Sequence, residues 1–148
     1  MKHLQNYINE QLSKEEQGGN VLIYKTNEYN LYCGKHLFDR LNRDSNETYN
    51  TSDKIKLSWI KQIVNKGFST INNLCGNRLK INDPNSAINL ISTKHGSSKL
   101  NVVCYIGKVE IDGIIDIIIK TTKFENNFWI NKRDNYKIVE NYEEFIVE

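Results

Sequence analysis

The stretch KLNVVCYIGKVEIDGIIDIIIKTTKF, Lys99–Phe124, decides the fold, because only here do β-forming residues dominate over a long run. Val102, Cys104 and Ile106 alternate with Val103 and Tyr105. After a Gly107–Gly113 connection, Ile115, Ile117 and Ile119 alternate with Asp116, Ile118, Lys120 and Thr122. Such alternation marks strands with one buried face, and the connection is short enough for a hairpin return. Ile114–Ile119 is apolar enough to predict a strand covered on both faces, at the centre of the sheet.

Working outward, Ala87–Thr93 is a strand leading through a turn at Lys94–Ser98, and Arg78–Ile81 is a shorter one stopped by Asp83-Pro84. Residues 86–124 therefore read as an antiparallel meander. Upstream, Leu4, Tyr7, Ile8 and Leu12 recur at helical spacing over residues 3–17, with Gly18-Gly19 as the stop. Val21–Tyr24 and Asn30–Cys33 are two short strands. Lys35–Leu41 opens a short helix, and Lys54–Lys66 is an amphipathic helix with Ile55, Trp59, Ile60 and Ile63 on one face, capped by Ser52 or Asp53 and ended by Gly67. Phe68–Cys75 adds a further turn, and the tail, Phe128–Ile130 and Tyr136–Val147, an edge strand and a short helix. Between these helices NRDSNETYNTSD, residues 42–53, holds no large aliphatic residue and reads as a polar excursion. Residues 1–148 thus form a single α+β domain, N-terminal helices packed on an antiparallel β-meander.

The 148 residues are enough to bury a core without staples. A net charge of +2 does not demand a polyanionic partner, though it permits a local basic patch. Cys33, Cys75 and Cys104 are too few and too far apart for a disulfide framework or a zinc finger. No stretch reaches the roughly 18 apolar residues of a membrane span. A cytoplasmic chain, or a piece delivered by something else, is expected, without membrane contact.

The chain has no glycine-rich phosphate loop, GxSxG elbow or HExxH. Asp112, Asp116 and Lys120 invite comparison with metal-dependent nucleases. However, Asp116 and Lys120 stand roughly 13 Å apart along an extended strand, too far to share one metal-bound water. No metal or cofactor is expected. What remains suits phosphoryl chemistry by side chains alone: a base for a 2′-OH proton, an acid for the leaving oxygen, and cations for the phosphorane. His36 follows a strand and a glycine, Lys35 lies beside it, and Arg40 stands one helical turn later. His95 sits in a turn. Lys120, Thr122 and Lys123 end the apolar strand.

Gly34-Lys35-His36 at a helix head, Arg40 one turn on, and an apolar strand closing in Ile118–Lys123 resemble the barnase–EndoU–colicin–RelE-like (BECR) ribonucleases of bacterial toxins and phages. The resemblance implies a metal-independent ribonuclease cleaving single-stranded RNA or tRNA by 2′-OH attack. It places His36 as base or acid, with Lys120, Thr122 and Arg40 around the phosphate; Lys35, Lys123 and His95 would contact substrate. The alternative is a small partner-binding protein without catalysis, an immunity protein or phage-encoded inhibitor. Its acidic tail, Glu140–Glu148, would meet a basic protein partner such as a toxin.

Overall fold

The computed structural model describes residues 19–41 and 55–128, together with the backbone of 136–141 and 144–147. The helix expected over residues 3–17, the excursion 42–53 and the capping residues Ser52 and Asp53 lie outside the described residues. Strands β1 (Asn20–Lys25) and β2 (Tyr29–Gly34) come first, followed by helices α1 (Lys35–Leu41) and α2 (Leu57–Leu74). Then come β3 (Ala87–Ser92), β4 (Leu100–Val109), β5 (Ile115–Phe124), β6 (Tyr136–Asn141) and β7 (Glu144–Val147).

The strands form one seven-stranded sheet in the order β1-β2-β5-β4-β3-β6-β7. The β3–β4–β5 meander is antiparallel, as its alternation predicts. The sheet as a whole is mixed, however: β2 pairs with β5 in parallel, and so does β3 with β6. Among the described residues both helices follow the first hairpin, so the picture of leading helices on a purely antiparallel meander is corrected. The central strand is β4, with β5 beside it. The tail, expected to end in a helix, supplies β6 and β7.

Local chemistry explains the connections. Between β1 and β2 the Thr26 hydroxyl accepts from the amides of Glu28 and Tyr29 at 3.1 and 3.0 Å, and donates to the Tyr29 carbonyl. Between β4 and β5 the chain reverses over Glu110–Ile114, where Gly113 takes φ 89° and the Asp112 carboxylate accepts from the Ile114 amide. Arg78–Ile81 does not form a strand. It forms the isolated bridges Cys75–Leu79 and Ile81–Ile106, and Ser86 Oγ accepts from the Lys80 amide.

One face of the sheet carries Leu31, Cys33, Leu90, Val102, Cys104, Ile106, Ile117 and Ile119 against Ile60, Ile63, Val64, Phe68 and Ile71 of α2. Gly67 does not end this helix. It lies buried in the middle, where an added Cβ would stand 3.0 Å from Leu90 Cδ2. The helix runs on because its apolar positions keep their phase through residue 71. A smaller cluster, Val21, Leu22, Tyr32 and Ile118 with Phe38 and Tyr105, occupies the other face. Among the described residues no helix is long and apolar enough to cross a membrane.

Candidate functional site

Parallel pairing of β2 with β5 creates the site. The register Cys33–Ile119 is its last rung, so Gly34 and the start of α1 fall beside Lys120. There β2 stops and β5 continues, and α1 takes up the space beyond the end of β2. A second irregularity then acts on β5. Cys104 pairs with Ile119 and Val103 with Thr121, leaving Lys120 without a partner on β4. This is a β-bulge, and it shifts the side-chain phase of the strand by one residue.

The result is a cavity of about 420 Å³, lined by His36, Leu37 and Arg40 of α1, Lys120 and Thr121 of β5, and Tyr105, Ile118, Asn20 and Pro84 among others. Three of its charged or chargeable side chains, His36, Arg40 and Lys120, were expected in one place from the sequence. None of the described residues that line it is acidic, so a nearly neutral chain concentrates positive charge in one recess. The Lys120 ammonium donates one hydrogen bond to the Pro84 carbonyl at 2.8 Å. A lysine carries three donors, so others remain for a ligand.

Thr122 is not on these walls. Beyond the bulge it pairs with Val102 and turns to the α2 side, 6% exposed, and Thr121 stands where strict alternation would have put it. Lys35 is exposed outside the cavity. Lys123 lies outside it as well, 3.5 Å from the Glu125 carboxylate. His95 is also elsewhere, its ring 5.0 Å from that of Trp59. Asn20 and Tyr105 are wall residues that sequence reading did not single out. Tyr105 had one signal, a hydroxyl-bearing ring in the otherwise apolar run Val102–Ile106. Nothing local marks Asn20.

Electrostatics elsewhere narrow the chemistry. Burial pushes the Cys33 and Cys104 thiols up to about 12, with Asp39 adding to the effect at Cys33, so both stay protonated and offer no nucleophile. Asp116 is sequestered, accepting from Asn30 Nδ2 at 2.9 Å. Among the described residues no three His, Cys, Asp or Glu side chains are grouped as a metal ion requires. The arrangement can bind an oxyanion, exchange a proton at His36 and stabilise charge with Arg40 and Lys120. In comparisons with known proteins, no family model matches the chain, and neither does any curated protein or solved structure.

Proposed function

We propose that this protein is a metal-independent ribonuclease cutting single-stranded RNA or a tRNA loop, acting in a reducing cytoplasm. The observation that carries the reading is the convergence of His36, Arg40 and Lys120 on one cavity without an acidic neighbour among the described wall residues. The three described cysteines are free, which fits a reducing compartment.

The chemistry follows from the residues. With a phosphodiester in the cavity, the imidazole of His36 accepts the 2′-OH proton, and the 2′-oxygen attacks the adjacent phosphorus. The bond from phosphorus to the 5′-oxygen breaks, that oxygen takes up a proton from water, and a 2′,3′-cyclic phosphate remains. Histidine suits this step because it exchanges protons near neutral pH. The Arg40 guanidinium and the Lys120 ammonium stabilise the negative charge that builds on the phosphorane oxygens, and Thr121, on the same wall, offers a hydroxyl donor to one of them.

Incubating the protein with total tRNA in EDTA and mapping the ends tests the reading. Cleavage with cyclic phosphate ends is expected, because the cations are side chains. His36→Ala should lose about 10²–10⁴ in rate, the usual contribution of one proton-transfer group, with the fold intact by circular dichroism. Lys120→Ala should slow cleavage without changing the product end. Absence of cleavage by wild type on every RNA tried would sink the proposal; cleavage surviving in His36→Ala would displace the site.

A further inference from the structure

The cavity has more wall than an oxyanion needs. His36, Arg40, Lys120 and Thr121 account for a phosphate, yet Tyr105, Ile118 and Leu37 add an apolar and aromatic surface, and Asn20 an amide. About 420 Å³ lies within the range of sites that enclose a whole small molecule. Tyr105 projects from the central strand, half-buried, and packs against the cluster of Val21, Leu22, Tyr32 and Ile118. Its hydroxyl is hydrogen-bonded to Asn20 of β1, across the two intervening strands β5 and β2. The apolar cluster beneath it holds the ring in place without a ligand. Burial pushes the phenol up, which keeps the hydroxyl protonated as a donor or acceptor, and the bond from Asn20 works against this.

We propose that the cavity takes one complete nucleotide of a single-stranded RNA, with the base against the Tyr105 ring and its edge read by the Asn20 amide. This rests on the ribonuclease reading and extends it to base selection. A base offers a flat apolar face with donors and acceptors on its rim. An aromatic ring beside an amide, next to His36, Arg40 and Lys120, matches both halves of a nucleotide. An amide carries both donor and acceptor groups, the two kinds that a base edge presents. Stacking on an aromatic side chain tolerates any base; the amide supplies the discrimination.

Titration of the full chain, followed by NMR shifts, with inorganic phosphate and with each of the four nucleoside 3′-monophosphates tests this. At least one nucleotide should bind about 5- to 150-fold more tightly than phosphate, the gain from stacking one base. Tyr105→Leu, which keeps apolar bulk in the cluster, should erase that gain and leave phosphate affinity unchanged. Tyr105→Phe should keep the gain, because the ring remains. Asn20→Ala should level the preference among the four bases, and it leaves the ring in place should Tyr105→Leu not fold. Four nucleotides binding no more tightly than phosphate would overturn base recognition while leaving the oxyanion site standing. Loss of phosphate binding as well would defeat the ribonuclease reading itself. An unaltered base preference in Asn20→Ala would remove that residue from recognition.

Discussion

Asp116 is a carboxyl only 3% exposed, with Asn30 donating to it at 2.9 Å and Glu110 hydrogen-bonded beside it. Burial, reinforced by Glu110, pushes it up to about 6 from 3.8, while the Asn30 hydrogen bond and the charge of Lys108 pull the other way. The folded state thus holds this proton more tightly than the unfolded chain does. Its contribution to stability is full below about pH 4, is lost as pH rises from about 4 to about 6, and stays lost above that. Asp116→Asn keeps the shape, accepts from Asn30 and donates to Glu110. Melts from pH 3 to pH 8 should show the variant gaining on wild type between about pH 4 and 6, by roughly 1–3 kcal/mol at neutrality. A constant difference across that window would mean Asp116 titrates normally. A second residue-scale contrast concerns Thr121 and Thr122. Alternation assigns Thr122 to the face of Lys120, and nothing in a single sequence announces a bulge. With Lys120 unpaired on β4, Thr121→Ala should slow RNA cleavage several-fold, whereas Thr122→Val should leave the rate nearly unchanged. The reverse order, measured on one RNA, would restore the unshifted strand.

At the scale of elements, strand alternation and helix phase were legible wherever they rested on neighbours in sequence. The meander, the first hairpin and α1 all follow from local pattern. Gly67 shows how one local rule can override another: glycine commonly ends helices, yet Ile60, Ile63, Val64, Phe68 and Ile71 hold their phase through it. Its actual role is to let α2 approach Leu90, itself fully buried. Gly67→Ala gains up to about 1 kcal/mol of helix propensity but overpacks the contact, typically at about 1–3 kcal/mol. A net loss of about 1 kcal/mol is expected in urea unfolding. A gain would show that Leu90 moves aside freely. The apolar run of β5 correctly signalled burial on both faces. Position within the sheet is a different matter, because the β2–β5 pairing joins residues 86 apart, as Asn30 and Asp116 show. No window of sequence contains that contact.

At the scale of the molecule, the legible part of the site was the part made of typical phosphate-handling residues. His36 and Arg40 lie one turn apart on a single helix, and Lys120 ends an apolar strand. What brings them together is the long-range pairing, and what adds Tyr105 and Asn20 is the order of strands in the sheet, which no local pattern encodes. The tail is a further case. Its acidic residues suggest a contact for a basic partner, yet its backbone forms β6 and β7, and β6 pairs in parallel with β3 over Ile88–Ile91. Removing residues 136–148 should strip β3 of that neighbour and lower the melting temperature by several degrees, as a loss of a few kcal/mol does in a domain of this size. An unchanged melt would mean the last two strands add nothing to the sheet.

The 86-residue gap has a consequence during synthesis. At about 5–20 residues per second, the first hairpin waits roughly 4–17 s on the ribosome before the strand that completes its pairing is made. During that interval Leu31 and Cys33 lack their eventual neighbours, and His36 and Arg40 exist without Lys120. A truncated translation product therefore carries half a site. If the assembled protein cuts RNA, synthesis yields no complete site until β5 has been made, because Lys120 is added long after His36 and Arg40.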